Sequence, residues 1–196
     1  MGHRMGTALE RGHMSEAEYF AAEERAATRS EYVAGEVFAM AGGSERHNRI
    51  SGNVFVHLRA ASRGHRCRAF MADMKLRMAA QRAFYYPDVM LVCDDADDHP
   101  HYKEERPCFI AEVLSPATAS IDTREKWLHY RELPSLRYYL MVDSERVSAR
   151  LLSRAGEARW QEQQLDAGEA VRIECGGLAV TLSLENLYED TGMAFG

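Results

Sequence analysis

Two short apolar runs, each carrying a carboxylate, constrain this chain most: residues 89–93, with Asp88 at the entrance, and Pro107–Leu114, interrupted by Glu112. Continuous hydrophobic stretches of this length read as strands covered on both faces, which puts them in the middle of a packed sheet. A carboxylate in such a strand costs several kcal/mol unless a partner charge or a metal compensates it. One divalent cation shared by Asp88 and Glu112 would satisfy both. Oxygen ligands with no thiolate pattern nearby favour a hard ion, Mg²⁺ or Mn²⁺.

The flanking sequence supplies the other layers. Ser15 with Glu18 three residues on is a capping box and predicts a helix over 15–29. Tyr32-Val33 and Val37-Phe38 around Ala34-Gly35 predict two short strands joined by a tight turn. Ser44 can cap a helix over 45–62, where Ile50, Val54 and Leu58 recur at four-residue spacing and Arg46, His47 and Arg49 line the polar face. Strands are expected at 66–71 and 75–78 and as one run over 84–93. Asp122 with Glu125 forms a second capping box and opens a helix to about 133, closed by Pro134. A strand over 136–143, β-hairpins to 180 and a last helical turn at 184–188 complete the pattern. This order gives an α/β (α+β) fold, a mixed sheet flanked by helices with extra β-hairpins, in one domain over 15–196. Residues 1–14 have no apolar face and read as a disordered extension.

The net charge of −6 argues against a protein that coats nucleic acid by neutralising many phosphates. It hides a segregation. Residues 44–82 hold nine basic and two acidic side chains, whereas 88–105 hold seven acidic ones against Lys103. Such asymmetry suits a site where an anion meets a cation-binding carboxylate cluster, and it equally describes two solvated faces. Cys67, Cys93, Cys108 and Cys175 lack C-x-x-C spacing and are read as reduced, buried thiols. No run is apolar enough to span a bilayer and the start has no secretory h-region, so the expectation is a cytoplasmic protein with no membrane partner.

Metal-assisted phosphodiester hydrolysis needs carboxylates to hold the ion, a water to attack and a cation to stabilise charge developing on phosphate. Lys126, early in the helix after the Glu112 strand, is the candidate cation; a simple pairing with Asp122 at i, i+4 is the alternative. His47 is a candidate for phosphate contact or proton handling. Glu36 is either a site carboxylate or a solvated turn residue, and Asp73 either orients the site or ends a turn. The Asp94–Asp98 cluster with His99 and His101 reads as a solvated loop.

Taken together, Tyr86-Pro87-Asp88-Val89, Ala111-Glu112-Val113-Leu114-Ser115-Pro116, Asp122 with Lys126 and Tyr130, and Tyr138-Tyr139-Leu140-Met141-Val142-Asp143 closely resemble the Uma family of putative restriction endonucleases. Tyr32-Val33-Ala34-Gly35-Glu36, His47 and Asp73 extend the likeness over most of the chain. The resemblance implies the restriction-endonuclease-like fold, whose usual signature is Pro-Asp, then Asp or Glu, any residue, and Lys. Here Leu114 stands where that lysine is usual, and the resemblance assigns its role to Lys126. It further implies catalytic roles for Asp88, Glu112, Lys126, Glu36 and His47. A Mg²⁺ or Mn²⁺ ion would be held on Asp88, Glu112 and the Val113 carbonyl, the substrate would be DNA, and the protein would be a homodimer. A rival reading is a nuclease fold that binds nucleic acid or a protein without cutting.

Overall fold

The computed structural model describes residues 13–40, 42–93, 102–103, 106–115, 125–156 and 159–195. Helix α1 (Glu16–Glu23) opens on the expected capping box, with Ser15 Oγ accepting from the Glu18 N–H and the Glu18 carboxylate accepting from the Ser15 N–H. It stops well short of residue 29, where Glu23 turns inward and accepts from the Ser30 N–H at 2.8 Å. Strands β1 (Ser30–Val33) and β2 (Glu36–Ala39) form the expected hairpin. Its turn places Ala34 and Gly35 at φ 49° and 98°, the handedness that matches strand twist in a two-residue connection. Helix α2 (Glu45–Ala61), capped by Ser44, buries Ile50, Val54 and Leu58.

Strands β3 (Arg68–Met71) and β4 (Lys75–Met78) follow. The run read as one strand over 84–93 is two: β5 (Ala83–Tyr85) belongs to a five-stranded sheet and β6 (Val89–Val92) to a six-stranded one. Pro87 lacks a ladder donor and pushes Tyr86 away from helical geometry, so the chain crosses between sheets at Tyr86-Pro87-Asp88. The five-stranded sheet has the order β2-β1-β5-β4-β7, with β7 at Tyr102–Lys103.

Strand β8 (Pro107–Leu114) is buried throughout, as its sequence predicts. It pairs antiparallel with β6 and parallel with β9 (Tyr138–Asp143), making the sheet mixed. The parallel crossover includes the short helix α3 (Trp127–Tyr130). Strands β10 (Ala149–Arg154) and β11 (Trp160–Leu165) complete the order β11-β10-β9-β8-β6-β3. A separate hairpin, β12 (Ala170–Cys175) with β13 (Leu178–Ser183), leads into α4 (Leu184–Leu187). Of the extension expected over 1–14, Met14 is instead ordered against the β1–β2 hairpin, its N–H donating to the Gly35 carbonyl at 2.9 Å and its carbonyl accepting from the Tyr32 hydroxyl at 2.9 Å; residues 1–12, the acidic cluster at 94–98 with His99 and His101, and the Asp122 cap lie outside the described residues.

Alternation along β8 decides what each face meets. Phe109, Ala111 and Val113 pack with Ile50, Val54 and Leu58 of α2, while Ile110 and Leu114 pack with Tyr130, Leu133, Leu136 and Tyr139. Glu112 shares the second face. Among the described residues no helix is long and apolar enough to cross a membrane.

The expectation of reduced thiols is corrected: Cys67 is bonded to Cys93 and Cys108 to Cys175. Wide sequence spacing concealed the pairing, because sheet register creates it. Arg68 pairs with Val92 across β3 and β6, which brings the residues beyond them, Cys67 and Cys93, side by side. The second bond ties the β12–β13 hairpin to central strand β8 across a separation of 67 residues. Reducing it releases a long loop in the unfolded chain, so dithiothreitol should lower unfolding stability by roughly 2–4 kcal/mol. Urea titration with and without reductant measures this. Four thiols titrating in the unreduced, denatured protein would contradict the pairing.

Candidate active site

The register Val89↔Ala111 sets Asp88 beside Glu112 where the chain enters the six-stranded sheet. The Val113 N–H donates to Asp88 Oδ2 at 2.7 Å, and the Asp88 N–H approaches Glu112 Oε2 at 3.4 Å. Each carboxylate therefore binds the backbone of the other's strand. His47, in the first turn of α2, puts Nε2 3.2 Å from Asp88 Oδ2. Its ring lies against Gly43, where an added Cβ would come within 2.8 Å of His47 Nδ1. Glycine at 43 therefore leaves room for the imidazole to face Asp88.

Lys126 immediately precedes α3 and is buried, 6% exposed. Its Nζ lies 2.9 Å from Glu31 Oε1 and 3.5 Å from Glu112 Oε1. Glu31 and Glu112 are 3% and 2% exposed, so one ammonium stands between two desolvated carboxylates, the arrangement their burial requires. Glu112 Oε1 also accepts from the Tyr130 hydroxyl at 3.0 Å. Burial, followed by the neighbouring Glu112 charge, pushes the Tyr130 phenol well above its ordinary range, which keeps it a neutral donor. Glu31 Oε1 further accepts from the Tyr86 N–H at 3.0 Å.

Behind this group lies a second buried acid. Glu23 accepts from the Ser30 N–H and from the Tyr86 hydroxyl, and its Oε2 lies 3.4 Å from Lys75 Nζ. It thereby fastens the residue before Glu31 to the residue before Pro87-Asp88. Burial pulls the Lys75 ammonium below its ordinary range, and the Glu23 charge opposes that shift. The Lys75 amine also stands 5.0 to 5.7 Å from the rings of Tyr86, Phe20 and Tyr19.

Asp88, Glu112, Lys126 and His47 are thus brought together. Glu36 and Asp73 are not. Glu36 is exposed at the turn end of the β1–β2 hairpin, and Asp73, 89% exposed, pairs with Arg29 at 3.6 Å. From the same hairpin it is Glu31 that lies beside Lys126. Glu31 carried the signal that flagged Glu112, a carboxylate beside apolar strand residues, here Tyr32-Val33. Glu23, at the end of an alanine- and glutamate-rich helix, carried none.

Among the described residues, no three His, Cys, Asp or Glu side chains converge as a ready-made cation cage. The donor set nonetheless fits a hard ion that retains most of its waters. Asp88 keeps 13% of its side chain exposed, and its Oδ1 makes no hydrogen bond among the described residues, so it can turn to a cation shared with Glu112 Oε2. The place a lysine usually takes two residues after such an acid is filled by Leu114, packed in the core with Tyr130 and Leu133. The Lys126 amine arrives on the same acid from the residue before α3.

A model of the Uma2 family, described as putative restriction endonuclease, matches residues 16–185. Two uncharacterized proteins of Synechocystis sp. are similar over nearly their whole length. Protein sll1609 is 32% identical over 82% of this chain and 92% of its own, and slr1290 is 30% identical over 93% and 94%. The crystal structure of a putative nuclease from Anabaena variabilis superposes with a TM-score of 0.67 at 14% identity, covering 83% of this chain and 91% of that one, and shares the restriction-endonuclease-like fold. The chain belongs to the Uma2 family of putative restriction endonucleases.

Proposed function

We propose that the chain is a divalent-metal-dependent endonuclease that hydrolyses DNA phosphodiester bonds. The observation that carries this is the convergence of Asp88 and Glu112 from two central strands, within hydrogen-bond reach of each other's backbone, with the Lys126 ammonium on Glu112. Asp88, Glu112 and the Val113 carbonyl are the residues that would hold Mg²⁺ or Mn²⁺. When bound, the ion supplies a Lewis acid for the phosphate and acidifies a water. Lys126, already desolvated, donates from Nζ toward the attacking water and the developing phosphate charge. Tyr130 and Glu31 fix that amine and Glu112 in place. His47 orients Asp88 from the α2 side and presents an imidazole that can exchange a proton. A homodimer belongs to the same reading.

Supercoiled plasmid incubated with Mg²⁺ or Mn²⁺ tests it. Nicking or linearisation that disappears with EDTA is expected. Retention of DNA without any cutting under either ion would favour a fold that binds and does not cleave.

A further inference from the structure

We infer that the groove at the far end of α3 binds a single strand of nucleic acid, with Trp160 as the stacking surface and Arg131 and Arg137 as phosphate contacts. This groove, of about 570 Å³, is lined by Arg131, Arg137, Arg154, Trp160 and Glu132 among others. It stands apart from the acidic site. Lys126 precedes α3 and Arg131 follows it, so the short helix links the two places, about 7–8 Å apart along its axis.

The groove is built rather than incidental. Arg154 Nε donates to the Leu136 carbonyl at 2.7 Å, and Nη2 donates to the carbonyls of Arg131 and Leu133 at 2.9 and 2.7 Å. These bonds hold its guanidinium 4.5 Å from the centre of the Trp160 ring. Trp160 meets Trp127 edge to face at 4.8 Å, and Trp127 stacks on Tyr139 at 5.3 Å. The indole is therefore held in one orientation while remaining partly exposed along the groove. Arg137 is exposed, and Arg131, 40% exposed, lies 3.7 Å from Glu132, so the described residues of the lining hold three arginines against one glutamate.

Arginines around a fixed aromatic face suit a ligand offering a phosphate and a flat base together. A duplex keeps its bases stacked inside and cannot offer one to an indole in a concavity, which favours the single strand. An acidic peptide would satisfy the arginines and bring no flat base to the indole, whose contacts within the protein are Arg154 and Trp127.

The full chain has two tryptophans, so intrinsic fluorescence reports on this cluster directly. Titration with a short oligothymidylate in EDTA should quench it saturably, with affinity falling as salt rises. The double variant Arg131→Ala/Arg137→Ala should bind at least about tenfold more weakly with a shallower salt dependence. Because both side chains are at the rim, this variant avoids the folding risk of replacing Trp160. Absence of quenching, equal quenching by duplex or by polyglutamate, or wild-type affinity in the double variant would each overturn the assignment. No metal is present in the assay, so its outcome is independent of whether Asp88 and Glu112 support cleavage.

Discussion

Asp88→Asn and Glu112→Gln should each reduce plasmid cleavage by on the order of 10³-fold, about 4 kcal/mol of barrier, while leaving the fold intact. Both replacements keep side-chain shape and remove negative charge. Asparagine at 88 can still accept from the Val113 N–H, which joins β6 to β8, and glutamine at 112 can still accept from Tyr130, losing only the long 3.4 Å contact from the Asp88 N–H. What is lost is the charge needed to hold a hard cation at a place where the protein contributes few ligands. Glu112→Gln also keeps Lys126 beside Glu31 at 2.9 Å. Circular dichroism and urea midpoints separate loss of activity from loss of fold. Cleavage at wild-type rates in both variants would remove these residues from the chemistry.

Lys126→Met should destabilise the protein by about 3–5 kcal/mol, a larger effect than at most surface lysines. Methionine approximates the length of the stem and leaves Glu31 and Glu112, each at most 3% exposed, facing each other without the ammonium between them. A buried charge whose partner has been removed costs far more than the pair contributed. Part of the loss should return on adding Mn²⁺, since a cation that binds the folded state alone stabilises it by mass action. Urea unfolding in chelator and in Mn²⁺ reads both effects. A variant as stable as wild type in chelator would mean that the ammonium does not hold these carboxylates.

The legibility of this site varied with the physical signal each residue left. Asp88 and Glu112 stood out because an acid in or at the entrance of a buried apolar strand demands compensation; Glu112 is buried within β8, and Asp88 precedes β6 with 13% of its side chain exposed. The β8 strand and the α2 helix were equally clear, one from its unbroken hydrophobicity and the other from its cap and four-residue period. Lys126 was ambiguous, since Asp122 four residues earlier offered a local partner. Its contacts with Glu31 and Glu112 depend on a crossover that sequence spacing does not encode. Glu31 left a weaker mark than Glu112, with only the short strand β1 around it, and its contact with Lys126 depends on the same crossover. The break at Pro87 was hidden by apolar residues on both sides, which obscured the passage of the chain between two sheets. The disulfides were invisible for a related reason: register across β3–β6 and docking of the β12 hairpin on β8 are tertiary facts.

The central claim is that Asp88 and Glu112 form a divalent-cation site, and titrating Mn²⁺ into the metal-free protein by calorimetry tests it most directly. The account predicts saturable binding by the wild type and its loss in folded Asp88→Asn and Glu112→Gln. Saturation unchanged by either substitution, or no binding by the wild type, would contradict it.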